Sequence, residues 1–405
     1  MAVGLPELPY LHPIDGVEVG TCCAGIKYPG RKDLVIFRLC ENSSVAGVFT
    51  RNAFCAAPVQ IARSNLKNEP RYLLINTGNA NAGTGPSGYA DAVDCCAALA
   101  REEGVDAATV LPFSTGVIGE PLPVKRIVQG LPAALSVLDS SGWADAAEGI
   151  MTTDTLPKGA SLEFEVAGTR FHITGISKGA GMIKPDMATM LAFVATDVAV
   201  SPGVLQHLLS VACNGSFNRI TIDGDTSTND SCILAATGSA GNPVLDCCEG
   251  ELYQALLHKL TLICQQLAQA IVRDGEGATK FVTVRVEDAA TTQEALDVAY
   301  TVAHSPLVKT ALFASDPNWG RVLAAVGRAG LDGLDVGRIQ VWLDEVAIVT
   351  DGGRSEGYLE AEGQRVMDQE EILIRVSLGR GDACEQIWTT DLSHEYVRIN
   401  AEYRS

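Results

Sequence analysis

Thr189 stands where an unusual kind of chemistry is possible. It follows the small residue Ala188 and leads into Met190–Ala195, a continuous apolar run that suits a strand buried on both faces. If the Ala188–Thr189 bond is cut, Thr189 becomes a chain terminus held at the end of a core strand. Its own α-amine, with a free pKa of about 8, can then act as base for its hydroxyl, so no histidine is required. Taken alone, the local pattern is met more simply by a β-branched residue that starts a strand.

Other short motifs suggest other chemistry, and each must meet its structural requirement. Gly175-Ile176-Ser177-Lys178-Gly179 matches the G-x-S-x-G nucleophile elbow. An elbow leads directly into a helix, whereas the next residues, Ala180-Gly181-Met182-Ile183-Lys184-Pro185, do not make one. Asp223-Gly224-Asp225-Thr226-Ser227 follows Ile220-Thr221-Ile222 and resembles the strand end of an Mg²⁺-dependent phosphatase that uses two aspartates. It also resembles a calcium loop, but position 6 is Thr228 instead of Gly and position 12 is Leu234 instead of Glu. A tight turn satisfied by its own polar side chains is the plainer account. No P-loop and no strand-placed G-x-G-x-x-G occurs, and the six histidines (His12, His172, His207, His258, His304, His394) are isolated in sequence.

The elements that must position these residues look α/β throughout. Tyr72-Leu73-Leu74-Ile75 reads as a buried strand, followed by a polar, glycine-rich loop over 76–85 and a helix from about Tyr89 to Arg101. Leu162, Phe164 and Val166, then Phe171 and Ile173 beyond Gly168-Thr169, describe a hairpin with one wet face. Leu252, Leu256, Leu260, Ile263, Leu267 and Ile271 form one stripe of a helix that Asp274-Gly275 ends. Val282, Val284 and Val286 begin a strand, and a strand-rich stretch runs from Ile339 to Val349.

Composition narrows the function. The 405 residues allow two or three domains or one two-lobed unit, and 47% apolar with 20% charged residues excludes disordered and coiled-coil classes. A formal charge of -19 would repel a phosphate backbone, which argues against nucleic acid and anionic membranes as partners. The first residues show neither a basic nor an apolar segment of a signal peptide, and no apolar run suggests a membrane span. Among the 12 cysteines three pairs are adjacent (Cys22-Cys23, Cys95-Cys96, Cys247-Cys248) and no C-x-x-C occurs, so a reducing, cytoplasmic location with unpaired thiols is expected.

The stretch Lys178 to Asp197 is similar to the signature of the ornithine acetyltransferase family, the bifunctional glutamate N-acetyltransferases of arginine biosynthesis, which cut themselves before the Thr of Met-Ala-Thr-Met-Leu. Ordered blocks along nearly the whole chain agree. They are Val48-Phe49-Thr50 with Ala56-Ala57-Pro58-Val59, Asn76 to Ala82, Ser114 to Gly119, Met151 to Thr155, Ser216 to Asp230, Asp316 to Arg321, and Ile399 to Ser405. The family would usually carry Cys where Gly83 stands and Asn where Asp186 stands.

The resemblance implies an α/β layered sandwich with N-terminal-nucleophile logic, in which two lobes contribute to one active site. It implies an α chain of residues 1–188, carrying the oxyanion hole, and a β chain of 189–405 that begins with the nucleophile Thr189. Thr115 and Gly116 match the oxyanion-hole pair; Thr152, Lys178, Thr189, Glu276, Asn400 and Ser405 match substrate-binding positions. The implied reaction is ping-pong transfer of acetyl from N2-acetyl-L-ornithine to L-glutamate, with acetyl-CoA as a further donor in bifunctional members. No metal and no resident cofactor are implied, and the family's assembly is an α2β2 heterotetramer in the cytoplasm. The competing readings are the Asp223/Asp225 phosphatase and a noncatalytic small-molecule binding protein of the same fold.

Overall fold

The computed structural model describes residues 2–184 and 190–402. They form two compact units. The larger comprises Pro6–Asn218 and Asp225–Ile271; the smaller comprises the first five residues, Arg219–Gly224 and the chain from Val272 onward.

The larger unit contains nine strands in two sheets: β1 (Val17–Cys22), β2 (Leu34–Leu39), β3 (Ser44–Phe49), β4 (Tyr72–Asn79), β5 (Val110–Val117), β6 (Lys158–Val166), β7 (Thr169–Lys178), β8 (Leu191–Thr196) and β9 (Ser231–Ala236). One sheet has the order β1-β2-β4-β5 and the other β3-β9-β8-β7-β6. The facing sides meet in one apolar core. Phe193 of β8 lies 5.5 Å from Phe37 of β2 and 5.2 Å from Phe113 of β5, ring centre to ring centre. On the outside of the first sheet, Leu34, Ile36, Leu74 and Val110 pack against Cys96, Leu99, Ile127 and Leu131 of helices Gly85–Glu103 and Val124–Leu135. On the outside of the second, Gly175 leaves room for Ile263 and Leu267 of helix Glu251–Arg273. The order is therefore helix, sheet, sheet, helix, an α/β layered sandwich. Every residue of β8 and β9 is buried, as a strand covered on both faces requires.

The hairpin expected from alternation is β6–β7. Leu162 pairs with Ile173 and Phe164 with Phe171 across a turn in which Ala167 and Gly168 both have positive φ. Two elements run longer than the pattern predicts. β4 continues to Asn79, because its polar end is hydrogen-bonded instead of exposed, and the following helix starts at Gly85, four residues early, with a proline in its first turn where a missing N–H costs nothing. The helix Glu251–Arg273 is long and apolar enough to cross a membrane by length and composition, with a mean hydropathy of 1.2. Its leucine and isoleucine stripe instead faces the sheet, and half of the window is buried.

The smaller unit is built on one six-stranded sheet: β10 (Phe281–Ala289), β11 (Gln340–Leu343), β12 (Val346–Thr350), β13 (Gly353–Arg354), β14 (Glu371–Ser377) and β15 (Ala383–Thr390), in the order β13-β12-β11-β14-β10-β15. The strand-rich Ile339–Val349 stretch is the β11–β12 hairpin. Val298, Val302 and Val326 from two helices pack on Val284, Val341 and Ile374 of the sheet.

Candidate active site

Thr115 and Gly116 lie near the end of β5, which runs parallel to β4 and pairs with it at Thr77–Thr115 and Gly78–Gly116. Gly116 has φ +135°, and a Cβ there would lie 2.3 Å from the Gly78 carbonyl carbon, so only glycine permits this approach of the two backbones. A set of buried amides and hydroxyls braces this strand end. Ser114 Oγ donates to Asn76 Oδ1 at 2.5 Å, and Asn76 Nδ2 donates to the Asn79 carbonyl at 2.9 Å. Asn229 Nδ2 reaches both the Ala80 carbonyl (2.6 Å) and the Ser114 carbonyl (2.9 Å). The asparagine-rich block at the end of β4 is thus scaffolding for Thr115–Gly116, and its buried asparagines are hydrogen-bonded for the usual reason that an unpaired polar group is costly.

Lys178 ends β7, the strand that carries the chain toward the candidate cleavage site. Its side chain is buried and Nζ donates to Thr115 Oγ1 at 3.2 Å. Ser177, the serine of the elbow-like motif, is instead an interior residue of β7, fully buried with its Oγ 3.5 Å from the Leu267 carbonyl.

Asp154 connects these residues, and the sequence reading gave it no role. One carboxylate oxygen accepts from the Gly179 amide and from Lys158 Nζ, both at 2.7 Å; the other accepts from the Thr152 amide at 2.9 Å. Both members of the Asp154–Lys158 pair are fully buried. Burial alone would raise the carboxyl pKa, but the charges of Lys158 and Lys178 with the hydrogen bonds from Lys158 and Thr152 outweigh it and hold Asp154 well below the usual carboxylate range. The Asp-x-x-x-Lys spacing, with the lysine opening an alternating strand, was the available signal.

Asp230 is the opposite case. It directly precedes β9, whose first residue, Ser231, donates its amide to the Met190 carbonyl at 2.9 Å. Its side chain is buried, and among the described residues Oδ2 has no hydrogen-bond partner. Burial pushes its pKa well up, against the weaker opposing pull of Ser227 and of the Lys178 charge. Two buried carboxyls near one lysine are therefore shifted in opposite directions.

In the smaller unit, Glu276 accepts a hydrogen bond from Asn400 Nδ2 at 2.7 Å. Asn400 lies on helix His394–Ala401, whose cap Ser393 also donates to the Gly277 carbonyl at 2.7 Å and so ties the helix to the Glu276 loop. Asp223 of the phosphatase-like motif accepts from Tyr396 Oη at 3.3 Å. Lys309 is fully buried, and burial lowers its pKa to about 8 against the pull of Asp391 and Asp223.

The sequence-derived residues thus fall into two groups. Thr115, Gly116, Thr152 and Lys178 belong to the larger unit, with Thr115 and Lys178 in contact and Thr152 joined to the Lys178–Gly179 strand end through Asp154. Glu276 and Asn400 belong to the smaller unit and meet each other. Ala188, Thr189 and Ser405 lie outside the described residues. Among the described residues no group of three or more His, Cys, Asp or Glu side chains could hold a metal ion, and all cysteines are free thiols.

Comparison with known proteins agrees with the blocks read from the sequence. The family model of the ArgJ family matches residues 18–405. The arginine biosynthesis bifunctional protein ArgJ of Pseudomonas fluorescens (strain Pf0-1) is 63% identical over 405 residues, covering 100% of both chains. Among solved structures, the ArgJ protein of Bacillus halodurans is 40% identical, covers 52% of this chain and 97% of its own, and superposes with a TM-score of 0.49. The ornithine acetyltransferase of Mycobacterium tuberculosis, solved in complex with ornithine, is 34% identical over 45% of this chain and 98% of its own, with a TM-score of 0.41. With a match across nearly its whole length, and a relative aligned end to end, the chain belongs to the ArgJ family.

Proposed function

We infer that this chain transfers acetyl from N2-acetyl-L-ornithine to L-glutamate by a ping-pong reaction through Thr189, after cutting itself between Ala188 and Thr189. Membership of the ArgJ family makes it a glutamate N-acetyltransferase of arginine biosynthesis. The observation that carries the mechanism is the Thr115–Gly116 pair near the end of β5 with the Lys178 ammonium against the Thr115 hydroxyl. Such a pair offers a hydroxyl and a backbone N–H, the donors that attack on an acetyl carbonyl needs for the negative charge it builds on oxygen.

In maturation, Thr189 Oγ attacks the Ala188 carbonyl and its amide nitrogen leaves as the new α-amine; water then hydrolyses the ester, releasing the hydroxyl and a C-terminal carboxylate on Ala188. The products are an α chain of residues 1–188 and a β chain of 189–405. In the first half-reaction the α-amine takes the Thr189 hydroxyl proton, the oxygen attacks the acetyl group of acetylornithine, and the proton passes to the departing ornithine nitrogen. In the second, the glutamate amine attacks the acetyl ester, N-acetylglutamate leaves, and the hydroxyl regains its proton. Thr115 and Gly116 hold the oxyanion in each step. Thr152, Lys178, Glu276, Asn400 and Ser405 bind substrate, with Lys178 suited to a substrate carboxylate and Glu276 to an ammonium. Water must be kept from the acetyl ester, since hydrolysis would waste the group.

Acetyl-CoA is proposed as a second donor, an α2β2 heterotetramer as the assembly and the cytoplasm as the location. The reaction is tested by incubating purified protein with acetylornithine and glutamate and following N-acetylglutamate. Transfer that disappears in Thr189→Ala supports the reading. Transfer that survives that substitution refutes it. Mg²⁺-dependent phosphatase activity lost in Asp223→Asn would favour the competing enzyme class.

A further inference from the structure

The contact between Lys178 and Thr115 has a directional consequence. An ammonium has three N–H donors and no lone pair, so at this 3.2 Å contact Thr115 Oγ1 is the acceptor. The single hydrogen of the threonine hydroxyl is therefore turned away from the lysine and left to donate elsewhere. A cation bonded to the oxygen of a hydroxyl also makes its O–H a stronger donor, and in a buried site the effect is little screened.

The lysine is held in this place by a hydrogen-bonded network centred on Asp154. Asp154 grips the Gly179 amide, the peptide that follows Lys178, and is itself fixed by Lys158 and the Thr152 amide. The Lys178 charge lowers the pKa of Asp154, and the attraction is mutual, so the carboxylate stabilises the ammonium that meets Thr115. Asp230 is the second carboxyl acting on Lys178; burial raises its pKa, whereas that of Asp154 is lowered.

We propose that Lys178 serves the oxyanion through Thr115, polarising and aiming its hydroxyl, and that Asp154 is the positioning residue that keeps the lysine there. The proposal rests on the acetyl-transfer reading for the place of the oxyanion, and it gives Lys178 a duty beyond binding a substrate carboxylate.

The test uses p-nitrophenyl acetate, an activated acetyl ester with no carboxylate for Lys178 to hold, so a loss on removing the ammonium reports on the oxyanion. Lys178→Met should slow p-nitrophenol release about 10- to 100-fold in the wild-type background. In a Thr115→Val background the same substitution should cost less than about threefold, because the two residues act as one unit. Asp154→Asn should show the same dependence on Thr115, and if that variant fails to fold, the Lys178–Thr115 cycle decides alone. Equal losses in both backgrounds would overturn the proposal. So would a Lys178→Met enzyme that keeps its full rate on p-nitrophenyl acetate and only raises KM for acetylornithine. A wild-type enzyme that shows the coupling but passes no acetyl to glutamate would refute the reaction assigned above and leave this inference standing.

Discussion

Lys178, the last residue of β7, pairs directly with Leu191, the first residue of β8. The candidate cleavage site falls in the connection between these two paired strands, and the cut strand does not sit at an edge. β8 lies between β7 and β9, and β9 pairs on its far side with β3, so strands of the N-terminal fragment flank those of the C-terminal one. Cleavage would divide the chain without dividing the sheet. The cut protein should therefore run as two bands on a denaturing gel and as one species in native gel filtration, separating only when unfolded. Fragments that separate without denaturant would contradict the shared sheet.

Asp154 and Asp230 should respond in opposite ways to loss of charge. Asp154 has a lowered pKa in the fold, so its contribution to stability is complete above the unfolded carboxyl value of about 3.9 and is lost as pH falls through its folded value. Asp154→Asn removes the buried carboxylate charge 2.7 Å from Lys158 Nζ and should cost about 3–5 kcal/mol near neutral pH. Asp230 has a raised pKa, so ionising it penalises the fold as pH rises above the unfolded value. Asp230→Asn should leave the protein equally or more stable at neutral pH, with any gain vanishing below about pH 4. Urea unfolding of both variants at two pH values checks the contrast, and a large loss in Asp230→Asn at neutral pH would contradict it.

Gly116→Ala should damage catalysis more than its single methyl group suggests. The added carbon would meet the Gly78 backbone at 2.3 Å and force β4 and β5 apart where Thr115 and the Gly116 amide are presented. A misplaced oxyanion donor costs about 10²- to 10³-fold in kcat, and that is the loss expected, with a lowered thermal unfolding midpoint. Unchanged kcat would remove Gly116 from the site.

Glu276→Gln keeps the shape of the side chain that meets Asn400 but removes its charge. If Glu276 binds an ammonium, KM for acetylornithine should rise about 10-fold or more, the value of a charge-assisted hydrogen bond, with a smaller change in kcat. Steady-state kinetics with acetylornithine varied at fixed glutamate measures this. An unchanged KM would assign Glu276 to holding helix His394–Ala401 in place.

Much of this frame was legible in the sequence because it obeys local rules. The β6–β7 hairpin announces itself by alternation, and the helix Glu251–Arg273 by its leucine stripe. β8 reads as a doubly covered strand from its unbroken apolar run. The buried polar groups were harder to place. Asn76, Asn79 and Asn81 look like a solvated loop, yet they are buried because their partners come from Ser114 of β5, from each other and from the Glu120 and Gly88 carbonyls. Asp154 leaves only the faint Asp-x-x-x-Lys spacing and Asp230 no signature, since their opposite pKa shifts depend on burial and on which charges the fold places beside them. His172 makes the same point: isolated in sequence, its ring nitrogens lie 2.8 Å from Asp197 and 3.3 Å from Glu163.

The central claim is that Thr189 is freed by cleavage and then carries the acetyl group. Intact mass spectrometry of the purified protein, before and after acetylornithine and without glutamate, addresses both parts at once. The account predicts two chains, 1–188 and 189–405, the second gaining the mass of one acetyl group on exposure to acetylornithine and losing it when glutamate is added. A single uncut chain of 42.7 kDa, or two chains of which neither takes up acetyl, would contradict it.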